Sequence, residues 1–142
     1  MGTSRDEREG CPAPTSESLR ALVPKVDLVL DVRVSRAIAL VDGPTRSGGA
    51  LTKVERVRYG TEAATEIAVW SDLASGELTS GDFVLMLARH PGTYDLEGRE
   101  LRGYDVVSGA AFALEGTQIV RVCRDSRSPQ APVDVLDRVL SG

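Results

Sequence analysis

Much of what usually betrays a function is missing from these 142 residues. Aromatics amount to 4%: Phe83, Phe112, Tyr59, Tyr94, Tyr104 and Trp70. Four of the six fall in strand-like runs, where packing claims them, so few remain to stack on bases or sugars. There is one histidine, His90, and two cysteines, Cys11 and Cys123, far apart in the chain. A zinc site needs clustered nitrogen and sulfur ligands, and that spacing is absent. The Gly48–Ala50 stretch lacks the Lys-Ser/Thr of a phosphate-binding loop. Neither Ser75-Gly76 nor Ser108-Gly109 forms the Gly-x-Ser-x-Gly elbow of a serine hydrolase. The formal net charge is −4, whereas a nucleic-acid binder normally carries a basic footprint. No apolar run approaches the roughly 20 residues of a membrane span. No cofactor is expected.

What is present is β-patterned. Of the chain, 42% is hydrophobic and 27% charged, ordinary for one globular domain. The stretch Leu51–Trp70 predicts two strands around a turn at Gly60. Before it, Val54, Val57 and Tyr59 are the expected apolar anchors. Their spacing of three, then two, departs from a strand's period of two and predicts a β-bulge near Glu55–Arg56. After it, Thr65, Ile67 and Val69 alternate with Glu66, Ala68 and Trp70. Upstream, Val26–Leu40 predicts a half-buried strand with Leu28, Leu30, Val32 and Val34 inward, Asp27, Asp31, Arg33 and Ser35 on a wet face, and Val29 out of pattern. Asp42–Ala50 reads as a flexible loop. Gly81–Arg89 is almost continuously apolar, which predicts a strand covered on both faces. His90–Gly92 reads as a turn, with His90 solvated. Hairpins are expected around Glu97–Gly98 and Glu115–Gly116.

Helix is confined to the ends. Thr15 or Ser16 can cap a short helix over Thr15–Val23, which Pro24 stops. Val135, Leu136, Val139 and Leu140 share one face of a terminal helix. The expected organisation is a disordered tail over 1–14, a β-barrel domain over 15–125, and 126–142 as a linker plus a helix packed on the barrel. With no βαβ pattern, the fold class is mainly all-β: a small antiparallel, OB-like β-barrel with short N- and C-terminal helices.

The order of VDLVLDVRVS, the bulged VERVRYG, GDFVLMLA and SGAAFALEGTQIV, after a polar Cys-containing start and a short helix, resembles the netrin-module and tissue-inhibitor-of-metalloproteinases type of OB-fold barrel, in its small bacterial exported form. The resemblance spans roughly Cys11–Arg124. It implies a barrel whose N-terminal segment is pinned by cysteine, hence a Cys11–Cys123 disulfide; two unrelated thiols are the alternative. The metalloproteinase inhibitors begin at a cysteine that chelates zinc and carry several disulfides. Here ten residues precede Cys11 and one bond is available, so the inhibitory chemistry does not carry over unless processing exposes Cys11.

The expected function is therefore a non-enzymatic, extracytoplasmic binding module that meets a protein partner through its loops. Met1–Gly10 is polar, so export implies a signal removed upstream; a cytoplasmic protein is the alternative. The second reading is an OB-fold nucleic-acid binder, for which Arg33, Arg36, Lys53, Arg56 and Arg58 supply a candidate basic face. A small hydrolase or lyase is the third. Glu97, Glu100 and Asp105, interleaved with Arg99 and Arg102, read as a solvated, charge-balanced hairpin.

Overall fold

Strand β1 (Leu28–Asp42) is the hub of the sheet, pairing antiparallel with β2 (Thr45–Tyr59) on one side and β4 (Gly81–Leu96) on the other. A computed structural model describes residues 11–42, 45–71, 78, 80–124 and 126–142, with backbone alone at 38–42, 45–48 and 91–92. Strands β3 (Glu66–Trp70), β5 (Arg99–Glu115), β6 (Gln118–Cys123) and β7 (Ser126–Pro132) complete the order β3-β2-β1-β4-β5-β6-β7. A parallel β3–β5 pairing closes the first five into a barrel. Helices α1 (Ser16–Leu22) and α2 (Val133–Ser141) stand at the two ends of the chain. The all-β barrel with two short helices is thus the architecture the pattern implied.

Two apolar layers hold it. Inside the barrel, Leu28, Leu30, Val32 and Val34 meet Ile67, Val69, Phe83, Leu85 and Leu87. Outside, Val29, Val84, Met86, Phe112 and Ile119 lie under Leu19 and Leu22 of α1 and Leu136 and Val139 of α2. Strand β4 is therefore dry on both faces, and its continuous apolar run follows from that. The α1 N-terminus is closed by a reciprocal cap: Thr15 Oγ1 accepts from Ser18 N–H at 3.1 Å, and Ser18 Oγ accepts from Thr15 N–H at 3.0 Å. Pro24 then turns the chain through a 3₁₀ turn, Val23–Lys25.

Cys11 and Cys123 are joined by a disulfide with Cα atoms 5.9 Å apart, 112 residues apart in sequence. It straps the N-terminal segment across β6. Beside it the Arg121 guanidinium is buried, donating from Nε to the Pro12 carbonyl at 2.9 Å, from Nη1 to the Gly109 carbonyl and from Nη2 to Ser18 Oγ at 3.1 Å. Its centre lies 5.4 Å from the Phe112 ring centroid. Burial lowers the Arg121 pKa, as expected for a cation taken out of water. Two carbonyls and the Ser18 hydroxyl stand in for bulk solvent, and they sew strap, α1, β5 and β6 together.

Several local readings change. Residues 45–50 are not a loop: they continue β2 along β1, from Ala37↔Ala50 to Asp42↔Thr45. Three glycine and serine neighbours, Ser47, Gly48 and Gly49, hid that strand. The bulge at Glu55 is present, since Asp31 faces Arg56 and Val32 faces Val54; a second follows at Arg58. Val57 and Tyr59, on either side of the second bulge, are 38% and 37% exposed, so neither anchors the core. The outer face of β1 is wet only from Arg33 onward, because Val29 and Asp31 are buried. His90–Gly92 is no turn: β4 runs through it as a bulge, four steps from Arg89 to Thr93 opposing two from Tyr104 to Arg102. The linker expected at 126–132 is β7. Of the expected tail, 1–10 lies outside the described residues and Cys11 is buried in the domain.

Leu85 is fully buried in the barrel. Leu85→Ala should cost about 2–5 kcal/mol in chemical denaturation; a loss below about 0.5 kcal/mol is surface behaviour and would overturn this placement. Replacing both cysteines by serine should remove up to about 4–5 kcal/mol, the chain-entropy value for a loop of this length.

Candidate functional site

The five cations expected to form a basic face do not form one. Arg33 pairs with Asp82 at 3.2 Å and Glu55 at 3.7 Å, and Arg36 with Glu97 at 3.7 Å. Lys53, opposite Arg33, and Arg56 are exposed. Arg58 is not on the surface at all, its side chain being 4% exposed. The bulge turns it inward, where it holds Asp31 bidentately at 2.5 and 3.0 Å and Asp137 of α2 at 2.7 Å. Burial works to lower its pKa, but the hydrogen bonds and charges of the two carboxylates outweigh it and leave the pKa raised. Arg58 therefore docks α2 onto the barrel and is unavailable to a ligand.

The outer face of β2–β3 is also occupied. The ends of β4 and β5 extend beyond the barrel as a two-stranded arm whose turn, Glu97–Gly98, has both residues at positive φ, 52° and 85°. Leu96 and Leu101 of the arm seal Leu51 and Ala68, with Trp70 and Tyr94 packed alongside. Two ion pairs latch it to other strands: Arg99 to Glu66 at 2.5 Å and Arg36 to Glu97. Glu97 and Arg99 thus pair with other strands rather than with one another, while their side chains stay exposed as the sequence reading has them.

At the root of the arm opens a cleft of about 520 Å³ between the start of β3, the β4 bulge and β5, within the usual size of a small-ligand site. His90 forms part of its wall. The imidazole is half-buried rather than solvated, stacked on Trp70 with centroids 4.1 Å apart and planes 17° apart. Its Nδ1 lies 3.2 and 3.3 Å from the two Asp105 oxygens. A carboxylate only accepts, so Nδ1 carries the proton and Nε2 is the nitrogen left for another partner. Trp70 in turn lies against Gly103, where a Cβ would come within 2.3 Å of the indole. Its Nε1 is buried and finds no hydrogen-bond partner among the described residues.

Deeper in, Tyr104 points into the barrel and donates its hydroxyl to Glu62. The Glu62 carboxylate also accepts from Ala64 N–H at 2.8 Å and lies 3.8 Å from Arg102. Burial first, then the Glu62 hydrogen bond and charge, push the Tyr104 phenol up to about 12. Sequence reading named Glu100 and Asp105, as part of a solvated hairpin, but not the Trp70–His90 stack or its Asp105 partner, nor Glu62. Pro91-Gly92 was the available signal: in a run of strand residues that pair marks a bulge as readily as a turn.

Compared with protein-family models, with curated proteins and with solved structures, the chain matches none. Among the described residues no helix is long and apolar enough to cross a membrane.

A raised phenol pKa means the fold favours the protonated form. That contribution is whole below pH about 10, the ordinary value, and is lost as pH rises through about 12. Near-ultraviolet absorbance titration should show one phenol ionising near 12. Tyr104→Phe should remove that step, and Glu62→Gln should move it down; a titration unchanged by either variant would assign it elsewhere.

Proposed function

We propose that this chain is an exported, OB-type barrel that acts as a non-enzymatic binding module, meeting a protein partner at the arm and the cleft at its root. The observation that carries the reading is the cleft itself: a preformed concavity with fixed charges, set on a barrel closed by pairing and pinned by a disulfide. The ring order β1-β2-β3-β5-β4 with a parallel β3–β5 contact supports the OB type. The Cys11–Cys123 bond supports an oxidising compartment outside the cytosol. Both features agree with the netrin-like resemblance. The nucleic-acid reading loses support, because the β2–β3 face is covered by the arm and three of the five expected cations are paired with carboxylates. The hydrolase or lyase reading has the His90–Asp105 pair in its favour, and it supplies a control below.

The test places a photo-crosslinking residue at Thr93, an exposed residue lining the cleft, and at Arg20, exposed on α1. Irradiated in the native compartment, Thr93 should give one discrete protein adduct and Arg20 none. Equal adducts from both sites, or none from either, would overturn the reading. So would retention on single-stranded DNA at physiological salt, or turnover lost in His90→Gln. Titration of denatured, unreduced protein from that compartment should find no free thiol; two per chain would remove the export argument.

A further inference from the structure

The acids and the arginines around the cleft are engaged to different degrees. Glu66 is held by Arg99 at 2.5 Å. The Glu62 side chain is 2% exposed, and its two oxygens accept from the Tyr104 hydroxyl and from Ala64 N–H. Arg89 and Arg102 also line the cleft, and both are exposed. The backbone N–H of Arg89 donates to Asp27 at 2.9 Å, but its guanidinium has no ion-pair partner among the described residues. Arg102 faces Glu62 from 3.8 Å, beyond hydrogen-bond reach. The two arginines share one face of the sheet. Arg89 lies directly across the ladder from Tyr104, and Arg102 stands two residues along β5 from it, so both side chains leave on the side of the Tyr104 ring. Diagonal neighbours of this kind are roughly 7–8 Å apart at the backbone, close enough for long side chains to meet. Their convergence is felt at the phenol. Burial and Glu62 raise the Tyr104 pKa, while the charges of Arg102 and Arg89 both pull against that rise.

Two guanidinium groups brought together without a shared counter-ion repel, and an anion set between them relieves that repulsion. From this convergence we infer that the mouth of the cleft is a carboxylate site: one carboxylate of the protein partner sits between Arg89 and Arg102, over the Tyr104 ring. Each guanidinium presents a planar fork of donors that matches a carboxylate. The Tyr104 hydroxyl takes no part, because Glu62 already holds it. Glu100, exposed on the same wall, limits the charge of the guest. Around the cleft Arg89, Arg99 and Arg102 are matched in number by Glu62, Glu66 and Glu100. A single negative charge is answered by the two nearby guanidinia. A dianion such as phosphate would set its second charge near Glu100 with no further cation to answer it. This deepens the binding-module reading and rests on it.

The test is a magnetic-resonance titration of the intact, oxidised, isotope-labelled protein, followed at the Nε–H signals of Arg89 and Arg102. Acetyl-Gly-Glu-Gly-amide carries a side-chain carboxylate, and acetyl-Gly-Gly-Gly carries a chain-terminal one. At constant ionic strength at least one of them should move both signals saturably, and the one that saturates at lower concentration names the source. Acetyl-Gly-Gln-Gly-amide should move neither. Arg89→Gln and Arg102→Gln should each weaken binding by about fivefold, the upper scale of one exposed ion pair. Glu100→Gln removes a like charge and should tighten it, whereas Arg20→Gln on α1 should change nothing. All four side chains are exposed, so circular dichroism and the thermal midpoint should stay as in the parent. Binding that ignores either arginine, no gain from Glu100→Gln, or the same movement with the Gln peptide would overturn the assignment. So would the absence of any saturable movement, or inorganic phosphate saturating below both carboxylate peptides. Any of these would leave a discrete Thr93 adduct standing, which separates this inference from the proposed function.

Discussion

Three residue pairs, Ala68↔Gly103, Val69↔Tyr104 and Trp70↔Asp105, turn an open sheet into a barrel. They are the only parallel contacts between the described strands, and everything near the cleft is registered by them. Tyr104 is aimed inward at Glu62, Asp105 is brought to His90, and Leu101 of the arm is carried onto Ala68 and Leu51. The contact is close because residue 103 has no side chain; the Trp70 ring occupies the space a methyl group would need. A closed ring removes the edges that β3 and β5 would otherwise offer to another chain over that segment. The last strand of the described order, β7, carries Pro129 and Pro132, which lack the donor a neighbouring strand would require.

The fold divides its arginines by task. Arg58 and Arg121 are buried and structural, one satisfied by two carboxylates and the other by carbonyl oxygens and a hydroxyl. Each fastens one terminal element to the barrel: Arg58 takes α2, and Arg121 takes the strap and α1. Such groups hold position more through the cost of leaving them unpaired than through net attraction. Arg36 and Arg99 act at the surface and set where the arm lies. Arg89 is left over.

The sequence was legible where one face of a strand is apolar and the other is not. Leu30, Val32, Ile67, Val69, Phe83, Leu85 and Phe112 are all buried as the period of two implied, and Val54 is partly so. The Glu55 bulge was legible too, because it breaks that period. Composition misled at 45–50 and 126–132. Gly, Ser and Pro are usual in loops, yet pairing with a long partner strand overrides local preference. The Val57 and Tyr59 error lies at the second bulge, at Arg58 between them, which nothing local announces. The cleft was least legible, since Glu62, Trp70, His90 and Asp105 come from separate segments that meet only on closure. The disulfide came from the family resemblance rather than from any spacing rule.

The strap also has a bearing on how the molecule is made. With two cysteines in the sequence, a single intramolecular pairing exists between them, so their oxidation has no scrambled isomer to correct. Oxidation requires an acceptor of electrons but no reshuffling catalyst. The first thiol, however, emerges 112 residues before its mate, and until β6 has followed, any sulfur it meets belongs to another molecule. The competing product is a covalent dimer, whose yield rises with the concentration of nascent chains, whereas the native bond forms at a rate independent of it.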